Sequence, residues 1–176
     1  MYVFKIHILS LVAGVFLGVL LVVSAGRIQG GESGVRADFI SNRENDICRL
    51  EGFGAAEDLE CGKVRWSYGP EATVEFFLAA KNQVREMLLV YKLVSPLDGQ
   101  DLEIIFNGKT ILRQEDLPGA SAWDKWYGKA LSLQPKLGTN TVVFRVSKWN
   151  GHDGSIASED SRPLSLLFQK LSLFPK

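Results

Sequence analysis

Apolar and polar positions alternate along much of the chain, and the period is that of strands. Residues 72–78 (ATVEFFL) place Val74, Phe76 and Leu78 on one face. Residues 141–147 (TVVFRVS) do the same with Val142, Phe144 and Val146. Leu102, Ile104 and Phe106 alternate with Glu103, Ile105 and Asn107. Asn107-Gly108 then supplies a two-residue type I′ turn, so 102–106 and 110–113 form a hairpin. Residues 87–94 (MLLVYKLV) are a continuous apolar run closed by the turn Ser95-Pro96-Leu97-Asp98-Gly99. A short strand is expected over 130–133 and a long one over 164–174. The parity of the long strand slips after Phe168, which predicts a bulge near Gln169-Lys170. After residue 26, no segment holds a helical period over three turns. About eight short strands at near-regular spacing predict an all-β sandwich or jelly roll.

The other strong pattern is at the start. Residues 8–26 (ILSLVAGVFLGVLLVVSAG) carry no charge. At about 1.5 Å per residue the run is close to the thickness of a bilayer's hydrocarbon core. We read it as a retained signal-anchor helix with residues 1–7 in the cytoplasm, making a single-pass inner-membrane protein with its main domain outside. Cleavage after Ala25, at Val23-Ser24-Ala25, is the alternative and would release a secreted protein. Gly14 and Gly18 form a GxxxG step, which lets two helices approach closely, although Gly is also common in such segments. Residues 27–45, rich in Gly, Ser and charge, read as a flexible tether, and 46–176 as the folded domain.

Composition adds two limits. Twenty basic and twenty acidic residues leave a formal net charge of zero, which gives the chain no strong electrostatic footprint for nucleic acid or for an anionic membrane surface. Ten Phe, four Trp and four Tyr fit an aromatic-rich β core. Cys48 and Cys61 are the only cysteines. Outside the cytoplasm they form a candidate disulfide, worth about 3 kcal/mol in the chain-entropy picture. Two buried free thiols are the alternative. Zinc is not expected, because no His or further Cys lies near.

Two resemblances have residues behind them. Asn107-Gly108, then Leu131 and Leu133, then Gly138, Asn140, Val142 and Phe144 follow an order similar to the galactose-binding-like jelly rolls. Gly52-Phe53-Gly54, Glu57, Arg65-Trp66-Ser67 and Gly69-Pro70-Glu71-Ala72, with the closing Asp160-Ser161-Arg162-Pro163-Leu164, resemble a second group. These are extracytoplasmic β-sandwich accessory domains of bacterial membrane glycosyltransferases and other envelope polysaccharide proteins. The chain lacks the multi-span catalytic region of that group. The resemblance therefore implies a stand-alone accessory domain and carries over no transferase activity.

Catalytic chemistry is not legible. His7 precedes the apolar run, and His152 lies in the loop Asn150-Gly151-His152-Asp153-Gly154. There is no nucleophile elbow and no HExxH. Glycoside cleavage would need two of Glu57, Glu71, Asp153, Glu159 and Asp160 close together. Asp153, Glu159 and Asp160 could supply oxygens to a structural calcium ion, but their spacing is not that of an EF-hand. No other cofactor is expected.

Binding chemistry is better represented. Sugar rings present apolar C–H faces that pack on indoles, while hydroxyls bond to nearby Asn, Asp and Arg. Trp123, Trp126 and Tyr127 form one aromatic cluster, and Trp149 stands beside Asn150 and Asp153 in another. Both fall outside the strand patterns, where loops carry function on a rigid scaffold. The competing reading is that a Trp from each cluster plugs an end of the sandwich. Trp66, in a strand-like setting, is expected in the core. Arg65, Glu71 and Arg162 are expected to form structural ion pairs at strand ends. The leading expectation is a carbohydrate-associated accessory module that assists envelope polysaccharide synthesis or export. A structural subunit holding a membrane protein partner, with an exposed apolar patch, and a glycan-cleaving enzyme are the alternatives.

Overall fold

The computed structural model describes residues 37–40, 48–79, 86–119, 125–152, 156 and 159–176. Their strands are β1 (Ala37–Asp38), β2 (Cys48–Glu51), β3 (Phe53–Leu59), β4 (Gly62–Tyr68), β5 (Glu71–Leu78) and β6 (Met87–Val94). β7 (Gln100–Phe106), β8 (Lys109–Leu117), β9 (Tyr127–Leu133), β10 (Gly138–Val146) and β11 (Leu164–Pro175) complete the order. One sheet runs β3-β4-β11-β6-β9, with β1 also paired to β11. The second runs β2-β5-β10-β7-β8. Every pairing is antiparallel. The architecture is an all-β sandwich of two antiparallel sheets. No helix occurs among the described residues; the apolar run 8–26, its GxxxG step and Ala25 lie outside them.

The alternating runs supply one layer of the core. β5 turns Ala72, Val74, Phe76 and Leu78 inward, and β10, its neighbour in the second sheet, adds Val142, Phe144 and Val146 to the same layer, facing the first sheet. Phe144 is the hub. Its ring packs edge-on against Phe168 at 5.2 Å and Tyr91 at 6.0 Å between centroids. Burying an aromatic side chain of this kind contributes about 1.5–3 kcal/mol by area alone. The hairpin β7–β8 turns at Asn107-Gly108, both with positive φ (47° and 80°), as a type I′ turn demands. The bulge expected in β11 is a register shift between Phe168 and Lys170.

Several strands exceed the sequence reading. The eleven observed include β2, β3 and most of β4, whose outward positions are too mixed to alternate cleanly. β1 lies within the stretch expected to be tether: Ala37, Phe39 and Ile40 are buried, and Ala37 pairs with Leu173.

The apolar run of β6 has a physical reason. Its inner positions, Met87, Leu89, Tyr91 and Leu93, join the main core. Val94 belongs to a second cluster on the outer face of the same sheet, with Val64, Trp66, Leu164 and Leu167. Trp66 is thus buried as expected, but in the outer cluster, against which Tyr68, Trp126 and Ile156 pack, rather than between the sheets.

The disulfide expectation is corrected. Both cysteines are free: Cys48 is half-buried on β2, and Cys61 is exposed in the β3–β4 turn of the other sheet. Burial pushes the Cys48 thiol up to about 11.

Candidate functional site at the loop end of the sandwich

Topology gathers the aromatic loops. Strand directions bring the β2–β3, β4–β5, β6–β7, β8–β9 and β10–β11 connections to one end, the upper pole. Trp126 lies in the β8–β9 connection, next to Tyr127 at the start of β9, and Trp149 and Asn150 lie in the β10–β11 connection. The β3–β4, β7–β8 and β9–β10 turns lie at the lower pole, together with Ala37 and Lys176.

The stem of the β10–β11 connection is held by Gln100, a buried side chain at the start of β7. Its Oε1 accepts from Ser147 N at 3.1 Å, Ser147 Oγ at 3.1 Å and Lys148 N at 2.8 Å. Its Nε2 donates to Lys148 O at 2.7 Å. Lys148 Nζ reaches Asp98 O at 2.7 Å, tying the stem to the β6–β7 loop.

Trp149 follows this stem. It is half-buried, lying on the backbone of Gly69 where any side chain would overlap it. Gly69 N donates to Pro163 O at 2.8 Å, which closes the loop's far end over the same spot. The His152 imidazole stacks on the indole, centroids 4.0 Å and planes 22° apart.

Asn150 is buried, and its carboxamide organises the loop. Nδ2 donates to Asp160 O at 2.5 Å and Arg162 O at 2.9 Å, and Oδ1 accepts from Ile156 N at 3.0 Å. These bonds use the groups that the sequence reading offered to a ligand. Asp153 and Trp123 lie outside the described residues.

Arg162 locks the loop to the sheet. Its guanidinium grips Asp160 through Nε (3.0 and 3.1 Å) and Nη2 (2.8 Å), and Glu57 on β3 through Nη1 (2.6 Å). The guanidinium holds the Asp160 carboxyl below the usual aspartate range. A glycosidase acid needs a shift in the opposite direction. Glu159 is exposed in the same loop. Arg65 is buried and donates to Gly54 O at 3.0 Å, while Glu71 pairs with Arg145 at 2.6 Å on the outer face of the second sheet. Among the described residues no group of His, Cys, Asp and Glu is arranged to hold a metal ion.

Trp126 and Tyr127 part company. Consecutive residues at a strand start face opposite sides. Trp126 packs on the outer cluster beside Tyr68 and Ile156, with Lys92 Nζ 5.2 Å from its ring centre. Tyr127 packs on the main core and donates its hydroxyl to Gln114 Oε1 at 3.1 Å. They cannot both line one ligand face. Trp126 shares the outer side with Tyr68, the residue before the glycine that Trp149 covers.

Solved structures similar to this chain at low identity include three carbohydrate-binding modules. A family 35 carbohydrate-binding module from Clostridium thermocellum shares 11% identity over 81% of this chain and 100% of its own, with a TM-score of 0.47. The C-terminal CBM6 of the laminarinase LamC from Zobellia galactanivorans shares 11% over 80% and 98%, with a TM-score of 0.42. The carbohydrate-binding module CBM36 in complex with calcium and xylotriose shares 8% over 79% and 97%, with a TM-score of 0.40. No family model matches the chain, and no curated protein matches it.

A separate groove of about 260 Å³ crosses the outer face of the second sheet. Asp101, Glu103, Arg113, Gln114, Arg145 and Ser147 line it, with no aromatic side chain among its walls. Glu103 bonds both Arg113 and Arg145 at 3.0 Å, so its charges are largely matched from within.

Sequence reasoning missed Gln100, and it named Gly69 only within a resemblance, without its contact to Trp149. A buried Gln at the head of a strand has no sequence signature. Gly69 stands before Pro70 and reads only as a turn.

Proposed function

We propose that this chain is an extracytoplasmic carbohydrate-binding accessory module whose glycan seat is the upper pole. It has no catalytic role in this reading. The observation that carries it is the Trp149–His152 stack: the half-exposed indole is fixed over Gly69, the imidazole lies on its face, and the Gln100 and Asn150 bonds hold the chain on either side. An indole held this rigidly is a preorganised platform for the C–H face of a sugar, because little side-chain freedom is lost on binding. Trp126, on the adjoining outer side, is the second aromatic of the seat. The exposed carboxylates of the surrounding loops, Asp98 and Glu159, supply hydroxyl partners.

The apolar run 8–26 anchors the domain to the membrane in this reading, and the module assists synthesis or export of an envelope polysaccharide. Because the chain enters the sandwich at Ala37, beside Leu173 at the lower pole, the anchor lies at the end remote from Trp149. The glycan seat then faces away from the membrane.

Isothermal titration of the full chain, in detergent, against fragments of the source organism's envelope polysaccharide tests this. Saturable heat that Trp149→Ala weakens about tenfold or more, with the fold intact, supports the reading. No heat with any fragment sinks it.

A further inference from the structure

The lower pole has a different chemistry. Three large hydrophobic side chains are exposed among the described residues: Leu59 at 42%, Phe77 at 44% and Leu137 at 52%. A single exposed Leu or Phe is ordinary. Here all three lie on the lower half. Leu59 ends β3 at the β3–β4 turn, Phe77 is the penultimate residue of β5, and Leu137 immediately precedes β10. Gly138 pairs with Leu78 and Thr139 with Phe77, which puts Leu137, just before β10, two register positions beyond the level of Phe77 on the neighbouring strand. Among the described residues the upper pole, where the loops converge, contributes none.

Basic groups accompany them. Lys109, which opens β8 directly after the β7–β8 turn, and Lys136, beside Leu137, are exposed at this pole. Lys63 and Lys176 are there too, paired with Asp58 and Glu86, and Glu60 is exposed on the β3–β4 turn. Apolar side chains flanked by ammonium groups match a bilayer interface, where acyl chains meet phosphates.

The chain's own geometry brings this pole to a bilayer. Residues 27–36, between the apolar run and Ala37, reach at most about 35 Å fully extended. Leu173, where the chain enters, and Leu164 are about 30 Å apart along β11 at roughly 3.3 Å per residue. The upper loops rise beyond Leu164. Turning the upper pole onto the bilayer would need a fully stretched tether.

We infer that the lower pole, through Leu59, Phe77 and Leu137 with Lys109 and Lys136, rests on the lipid headgroup region as a membrane-contact surface. The inference depends on the anchored reading of residues 8–26. Contact at this pole fixes the upper pole outward, so the glycan seat is held at a set height above the membrane instead of tumbling on its tether.

The test uses the full chain, Cys61→Ser, in vesicles of phosphatidylcholine and phosphatidylglycerol. A nitroxide is placed either at Thr139→Cys, beside Phe77, or at Glu159→Cys in the upper loop. Collision with oxygen relative to a water-soluble nickel chelate reports depth. The expected ratio at position 139 is several-fold above that at position 159. Phe77→Ser with Leu137→Ser, both surface changes, should bring it down to the upper-loop value while the chain still floats with the vesicles. Equal ratios at the two sites in a floating chain overturn the inference and leave the anchor intact. A chain that does not float overturns the anchored reading itself. Spectral broadening at position 139 that unlabelled chain dilutes away, without a raised ratio, assigns the pole to a second copy and overturns the lipid assignment.

Discussion

The side chain of Trp149 occupies the space above the Cα of Gly69, so a methyl group there would overlap its Cβ and ring. One glycine in the β4–β5 connection thus sets the position of the aromatic in the β10–β11 loop. Gly69→Ala must displace either the loop or the connection. Overpacking of this kind costs about 1–3 kcal/mol. Thermal unfolding should show a midpoint lower by several degrees, and the Trp149 emission should shift red as the indole is lifted into water. An unchanged midpoint and spectrum would mean that Trp149 does not rest on Gly69.

Asn150 is the loop's internal brace. Asn150→Ala leaves the Asp160 and Arg162 carbonyls and the Ile156 N–H without their partner. Removing one side of buried hydrogen bonds costs about 1–3 kcal/mol. Denaturant unfolding should show that loss, and limited proteolysis should cut between β10 and β11 faster than in the parent chain. Asn150→Asp should not rescue it, because a carboxylate cannot donate to the two carbonyls.

The Arg162–Asp160 pair makes stability pH-dependent with a defined sign. The Asp160 carboxyl is held below its ordinary value by Arg162. Its contribution is therefore present above the unfolded aspartate pKa, about 3.9, and is lost as pH falls through the lower folded value. Asp160→Asn should lower the melting midpoint at neutral pH. It should also flatten the acid limb below about pH 4. Melting curves across that range check both. A variant whose acid limb matches the parent's would remove Asp160 from the account.

The thiols behave as separate groups. Cys61 is exposed and Cys48 is half-buried, with its thiol pushed up to about 11. A chromogenic thiol reagent at mild alkaline pH should find Cys61 quickly and Cys48 only after unfolding. Adding reductant should leave the melting midpoint where it was. A midpoint that falls with reductant would restore the bond between them.

The fold was legible where one face of a strand is apolar and the other polar, as in β5 and β10. It was also legible at Asn107-Gly108, where only one turn type fits the residues. It was less legible in β3 and β4, because a second apolar cluster lies on the outer face of their sheet and both sides carry apolar or mixed residues. The Cys48 and Cys61 spacing looked like a bridged loop, yet the chain between them crosses from one sheet to the other. For the site, sequence placed Trp126 and Trp149 in loops, where they lie, but placed Tyr127 there too, although it opens β9, and did not show which way each one faces. Trp126 and Tyr127 are adjacent in sequence and are separated by the pleat. Asn150 looked like a ligand contact because nothing in sequence shows that the backbone of the 156–162 segment claims all its bonds.

The central claim is that a glycan stacks on Trp149 at the upper pole. The most direct measurement is intrinsic tryptophan fluorescence of the full chain titrated with envelope oligosaccharides, read as the difference between the parent and Trp149→Ala. The account predicts a saturable change in the parent that disappears in the variant, while Trp66, buried in the outer cluster, contributes nothing to it. A saturable change that survives intact in Trp149→Ala would contradict it and move the binding surface elsewhere on the sandwich.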